Sequence, residues 1–239
     1  MYPRAILFDL DNTLTNRAFS ILRYAKVFLT DFGHQMKFVT LDDIGKLILR
    51  EDNGGYLSPE SKFTSIREAV GQTLAHDLPW LAPKAPQVLI NHWMNHFPSA
   101  TVQMPGALDL ILELESRDIK VGVISNGAER SRRQTIAALP FAKSVSTAIS
   151  SEAFGMAKPA SDIFRAGAAQ LGFLPEQCWF VGDHPLNDYQ GAKAAGMYAV
   201  WFQGFHSWPE GIIPAESSIT SLDELPNLIS QCSPGLGAR

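Results

Sequence analysis

Asp9 and Asp11 follow directly on the apolar run Ala5 to Phe8, separated only by Leu10. Two carboxylates delivered side by side at the end of a strand can face one small volume. Such a volume suits a divalent cation and a phosphoryl group better than it suits a core. The competing reading makes both of them turn or helix-cap residues, places where aspartate is common. Further along, other apolar runs end in polar groups in the same way. Val121 to Ile124 leads into Ser125-Asn126-Gly127, and the loop after Ile149 reaches Lys158-Pro159. Cys178 to Val181 runs into Gly182-Asp183 and then Asp188. Parallel strands in one open sheet would bring all of these to the same edge. Four carboxylates, a hydroxyl, an amide and an ammonium would then converge, and the carboxylates alone would repel one another strongly. A bound dication relieves that repulsion, and an all-oxygen site that keeps several waters points to Mg2+. Ser125 and Lys158 are then placed to hold an anion on the metal. Asn126 is expected to offer its backbone N–H more than its side chain.

The elements that must position these groups alternate. Ala5 to Phe8 is apolar at every position, as in a strand buried on both faces. From Pro105 onward, a helix through Leu108 and Ile111 precedes a strand over Ile119 to Ile124. A helix through Ile136 and Leu139 precedes a weaker strand near Val145 to Ile149. Ser161 is expected to cap a helix ending at Gly172, ahead of the Cys178 to Val181 strand. A small-residue helix, Asn187 to Ala195, is stopped by Gly196 and followed by a strand over Tyr198 to Phe202. Ser221 and Glu224 form a capping box for a last helix. This alternation predicts an α/β fold, a doubly wound parallel sheet of the Rossmann-like kind.

Between Leu14 and Pro105 the chain shows helical spacing only, for about eighty residues. Ile21, Leu22, Ala25, Phe28, Leu29 and Phe32 recur on one helix face, with Gly33 as a stop. Thr40 and Asp43 open a second helix. Gly54-Gly55 breaks the chain and suggests a flexible specificity loop. Ser58-Pro59 is expected to restart it with Pro59 at the first helical position. A shorter helix carries Leu89, His92 and Trp93. The expected organisation is a catalytic core over 1–15 and 100–232, a helical domain over 16–99, and a frayed tail over 233–239.

Composition narrows the class. Of 239 residues, 46% are hydrophobic and 18% charged, which fits a well-cored globular protein. The net charge of -4 favours neither a nucleic-acid backbone nor an anionic membrane as partner. The two cysteines, Cys178 and Cys232, argue against a disulfide framework or a structural zinc site and fit a reducing cytoplasm. Neither a signal segment at Met1 nor an apolar run of roughly 20 residues is present, so no membrane association is expected.

Taken together, the stretches resemble the four motifs of the haloacid dehalogenase (HAD) superfamily. Asp9-Leu10-Asp11-Asn12-Thr13 is similar to the first, Ser125 to the second, Lys158-Pro159 to the third, and Gly182-Asp183 through Asp188 to the fourth. The helical insert resembles the α-helical cap of the subfamily that carries its cap between the first two motifs. The resemblance implies an aspartate-nucleophile phosphatase acting on a small phosphorylated metabolite. Asp9 would attack phosphorus and form an aspartyl-phosphate, and Asp11 would serve as acid and base. Asp9, the Asp11 backbone carbonyl and Asp183 would hold Mg2+, with Asp188 in support. Ser125, Asn126 and Lys158 would bind the phosphoryl group. A phosphomutase on sugar phosphates uses the same pair of aspartates and stays open. Halide removal is disfavoured because Asp11 is present, and a non-catalytic module because no motif residue is missing. A monomer and a homodimer both remain compatible. His184 reads as a solvent-facing loop residue, Arg130, Arg132 and Arg133 as a solvated helix face, and Trp80, Trp93, Trp201 and Trp208 as packing.

Overall fold

A computed structural model describes residues 2–232, so the tail expected to fray, 233–239, lies outside the described residues. The strands are β1 (Ala5–Phe8), β2 (Lys120–Ser125), β3 (Val145–Ser150), β4 (Cys178–Gly182), β5 (Tyr198–Phe202) and β6 (Ser218–Ile219). The helices are α1 (Arg17–Phe32), α2 (Leu41–Asp52), α3 (Ile66–Asp77), α4 (Pro86–His96), α5 (Ala107–Ser116), α6 (Glu129–Ala137), α7 (Ser151–Phe154), α8 (Ser161–Gln170), α9 (Gly191–Ala195) and α10 (Leu225–Gln231). The strands form one six-stranded parallel sheet in the order β3-β2-β1-β4-β5-β6. That is the expected doubly wound, Rossmann-like sheet. The chain builds outward from β1 to β3 on one side and then crosses to β4 on the other. The switch point therefore lies beside the carboxyl end of β1, where open sheets leave a crevice.

β1 is buried along its whole length because both faces of the sheet are covered. Its period of two divides it between two cores. Ile6 and Phe8 pack with Val121, Val123, Trp179 and Val181 under Leu110, Ile111 and Leu114 of α5. Ala5 and Leu7 pack with Ile124 and Phe180 under Ile163 and Phe164 of α8. Two helices thus clamp the central strand from opposite sides and fix where its last residue points.

Thr15–Val102 forms a separate compact unit, and the rest of the chain forms the other. Its core gathers Ile21, Tyr24, Ala25 and Phe28 of α1, Ile44 and Ile48 of α2, Val70 and Leu74 of α3, and Leu89 and Trp93 of α4. The Thr40–Asp43 capping box forms as expected, with Asp43 N–H donating to Thr40 Oγ1 at 3.2 Å. Leu22 departs from the predicted stripe and is exposed. Arg17 donates from Nε and Nη2 to the Asp52 carboxylate at 2.8 and 2.7 Å, both side chains buried.

Three expected helix boundaries move. Pro59 does not start a helix; α3 begins at Ile66, and ahead of it the Ser58 and Ser61 hydroxyls accept from the Glu60 and Phe63 amides and hold a run of turns. Ser161 is the first residue of α8 and not its cap; that position is Ala160, without a side-chain bond. The helix expected over Asn187 to Ala195 opens instead as a wide π-type turn over Pro185–Gln190. Gly54 and Gly55 have φ of 70° and 98°, so the pair supplies left-handed backbone. Gly55 also lies where a Cβ would come within 3.2 Å of Arg17 Nε, so the turn brings the backbone close to that side chain. No helix among the described residues is long and apolar enough to cross a membrane.

Cys178 is fully buried at the start of β4, and Cys232 is half-buried. Burial, helped by the nearby Glu176 charge, pushes the Cys178 thiol from 9.0 up to about 11. The native state therefore keeps this proton where the unfolded chain begins to lose it. Its contribution to stability is complete below pH 9 and fades as pH rises through about 11. A thiol reagent at pH 8 is expected to label Cys232 in the native protein and Cys178 only after unfolding. Equal native labelling of both, read by mass spectrometry, would contradict this packing.

Candidate active site

The carboxyl ends of β1, β2 and β4 are adjacent in the sheet and deliver the predicted groups to one edge. Asp9 continues the ladder of β1, its N–H donating to Val181 O at 2.9 Å. The chain then turns sharply, with Asn12 at φ 58°, a conformation asparagine tolerates. Asp9, Asp183 and Asp188 are all buried, and each offers a carboxylate oxygen within 4.8 Å of the others'. Lys158 is buried among them. Its Nζ donates to Asp9 Oδ1 at 2.5 Å and to Asp188 Oδ1 at 2.6 Å. Ser125 ends β2 and is buried at the same edge.

The supporting contacts are specific. Asn126 does more than lend its backbone: its side-chain carbonyl accepts from Lys158 N at 2.8 Å and its amide donates to Lys158 O at 3.0 Å. That double clamp pins the main chain of the residue carrying the ammonium. His184 is not a solvent-facing bystander. Its Nδ1 accepts from the backbone N–H groups of Leu186 and Asn187, both at 3.1 Å, and its own N–H donates to Asp188 Oδ2 at 3.0 Å. Trp201 Nε1 donates to the Asp183 carbonyl at 2.9 Å, so this tryptophan holds a site residue as well as packing. Gly182 cannot carry a side chain, because a Cβ there would lie 2.5 Å from Asp188 Cγ.

Asp11 carries an arginine contact of its own. Its Oδ2 accepts from Arg132 Nη1 at 2.8 Å, and the same guanidinium donates to Asn126 O from Nε at 3.0 Å and Nη2 at 2.7 Å. The expectation of a solvated arginine face fails for Arg132. The signal that could have found it is position: α6 starts just after the β2 loop, so its first turn stands at the same edge. Burial chiefly raises the Asp9 carboxyl and the Asp11 charge adds to that, so the arginine contact is additional to the expected proximity of the two carboxylates.

The charges are unequal. Three carboxylates share one ammonium. Burial pushes Asp9 up to about 7, against the pull of Lys158 and with the help of the Asp188 charge. Burial, then the charges of Asp9 and Asp188, hold Asp183 well above the usual carboxylate range. For Lys158, burial opposes the charge, but Asp188 and Asp9 outweigh it and raise the ammonium above its ordinary range. Asp183 Oδ2 is buried and accepts no hydrogen bond among the described residues; His206 Nε2 lies 3.4 Å away. An oxygen-only donor set with excess negative charge and an unsatisfied carboxylate oxygen fits a hard dication.

Residues 3–196 match the haloacid dehalogenase-like hydrolase family. The chain belongs to that family. As a HAD-like hydrolase it is 26% identical over 230 residues to a glyceraldehyde 3-phosphate phosphatase of Methanocaldococcus jannaschii, covering 95% of this chain and 96% of the relative. It is 26% identical over 237 residues to a phosphoglycolate phosphatase of Xylella fastidiosa, covering 96% and 93%. In fold it is similar to the HAD hydrolase YfnB from Bacillus subtilis, solved bound to magnesium. That likeness has a TM-score of 0.72 at 18% identity over 96% of this chain and 99% of the other. HAD-like hydrolases generally use a divalent metal, and the Asp9, Asp183 and Asp188 cluster is a candidate for it.

Replacing Lys158 with Met leaves three buried carboxylates without their cation. In a metal-free buffer near pH 7 this is expected to cost about 3–5 kcal/mol, the usual penalty for breaking a buried pair from one side. Adding Asp188→Asn to that variant is expected to recover part of the loss. A K158M protein as stable as the wild type in urea unfolding would contradict the pairing.

Proposed function

We propose that the chain hydrolyses phosphate monoesters of small metabolites by way of an aspartyl-phosphate on Asp9. The observation that carries this reading is the buried Asp9 carboxylate, held on one oxygen by Lys158 beside Asp183 and Asp188. Asp9 attacks phosphorus while the ester oxygen departs and takes a proton from Asp11. Asp11 then takes a proton from the water that cleaves the acyl phosphate, which releases inorganic phosphate and restores Asp9. Lys158 orients the nucleophile and offsets charge on the phosphoryl oxygens, and Ser125 donates a hydrogen bond to them. Asn126 acts through Lys158 by fixing its main chain. Arg132 acts through Asp11 by fixing its carboxylate.

Asp9, Asp183 and the backbone carbonyl of Asp11 would hold Mg2+, with Asp188 in support. When bound, the ion supplies charge neutralisation for the phosphoryl group and the carboxylates around it. The two phosphatase relatives named above support a small anionic ester as substrate class. The core residues account only for the phosphoryl group, so the choice of leaving group is assigned to the helical unit, Thr15–Val102, as a cap domain.

The wild type with Mg2+ is expected to release nitrophenol from p-nitrophenyl phosphate, and Asp9→Asn to release none. Equal release by both would sink the reading. EDTA should abolish turnover and Mg2+ restore it. Asp11→Asn should lower kcat by about 10²–10⁴-fold, the range for general acid–base catalysis. Arg132→Ala should lower kcat by up to about 10²-fold with little change in KM, because the acid is misplaced and not removed. Losses from D11N and R132A that simply add in the double variant would show that Arg132 does not act through Asp11.

A further inference from the structure

A second cluster of ligating side chains lies wholly within the helical unit. His92 and His96 stand four residues apart on α4, so their side chains share one helix face. Their rings stack with centroids 4.3 Å apart and planes 25° apart. Asp31, in the last turn of α1, reaches them, with Oδ2 at 2.9 Å from His92 Nε2. One ligating atom from each of the three lies within 4.8 Å of the others. A carboxylate at the C-terminal end of a helix is unfavourably placed against the helix dipole, so its position here needs another reason.

The geometry points to a binding site for a borderline transition cation such as Zn2+, built by Asp31, His92 and His96 on the surface of the helical unit. Two imidazoles and one carboxylate suit Zn2+, Co2+ or Ni2+, whereas the oxygen-only cluster at Asp9 suits Mg2+. Zn–N and Zn–O bonds of about 2.0–2.2 Å place tetrahedral donors roughly 3.3 Å apart. The His92–Asp31 pair therefore needs to open by only a few tenths of an ångström. Asp31 and His96 are exposed and can close on an ion without disturbing the core. His92 is anchored from behind. Its Nδ1 lies 2.8 Å from the Tyr24 hydroxyl, in the orienting position that metal-bound histidines commonly show. Binding through Nε2 places the ring proton on Nδ1, where the Tyr24 oxygen accepts it. Water completes the coordination at so exposed a site. A bound ion would tie the end of α1 to α4, a cross-link between helices that are distant in sequence. The inference is independent of the hydrolytic reading, since it draws on no residue of the carboxylate cluster.

Calorimetric titration of the full chain with Zn2+ in millimolar Mg2+ tests it. One equivalent is expected to bind the wild type with micromolar affinity and to raise its Tm. His96→Ala and Asp31→Asn are expected to weaken that equivalent at least about tenfold and remove the Tm increase, while keeping the wild-type Tm in EDTA. Asp183→Asn is expected to retain it. Co2+ should give visible absorption bands typical of a tetrahedral nitrogen-containing site, absent in H96A. Failure of the wild type to bind Zn2+, or unchanged binding in both H96A and D31N, overturns the site and leaves the pair as a plain His92–Asp31 hydrogen bond.

Discussion

The buried ammonium of Lys158 between Asp9 and Asp188 is the contact on which the rest of the site depends. Three carboxylates drawn from β1 and the β4 loop could not be buried together without it, because an ion removed from water costs several kcal/mol unless it is paired. The pairing in turn demands accuracy from the backbone. Lys158 comes from a loop, and the Asn126 side chain bonds both its N–H and its C=O. Asp188 comes from a wide turn, and the His184 N–H and the bare Cα of Gly182 fix where its carboxylate lies. Asp9 needs no such help, since the sheet ladder runs up to its N–H. Rigid strand for the nucleophile and clamped loops for its partners form a consistent division of labour.

Even so, the cation does not balance the site. Asp9 and Asp183 both hold protons more tightly than ordinary carboxylates, chiefly through burial. A protein gains nothing in stability from such an excess of buried acid, and sites of this kind are where function is usually found. The imbalance has the sign and the donor chemistry that a hard dication would relieve.

Much of this was legible in the sequence, for identifiable reasons. β1, β2 and β4 are apolar runs that stop abruptly, so both the strands and the residues after them could be read directly. The parallel order followed from the alternation of strand and helix. The supporting residues were illegible because they resemble their neighbours. Arg130, Arg132 and Arg133 look alike in a polar helix, yet Arg133 bonds Glu129 on its own helix while Arg132 reaches Asp11 across the β2 loop. Helical phase over so short a run does not separate them. His184, Trp201 and the side chain of Asn126 were underestimated for a related reason. Asn126 and Trp201 bond to main chain brought near by tertiary folding, which no spacing rule records, while His184 bonds within its own turn, two to four residues on. The misplaced start of α3 is local: short polar side chains ahead of it bond nearby backbone amides in place of the helix.

Asp9 and Asp11 show how far environment outweighs residue type. They are two positions apart, and in a continuing strand their side chains would share a face. The strand ends at Phe8, and the left-handed turn at Asn12 follows directly. Asp9 is left against an ammonium in a buried nest of carboxylates. Asp11 is turned to a guanidinium at a partly open position. A nucleophile and a proton carrier need those differences, one held rigid and dry, the other reachable by a leaving group and then by water. Had the chain continued as a strand, both acids would have faced the same side. Their separation into two surroundings, by a strand end and one left-handed residue, supports assigning the two carboxylates different proposed roles.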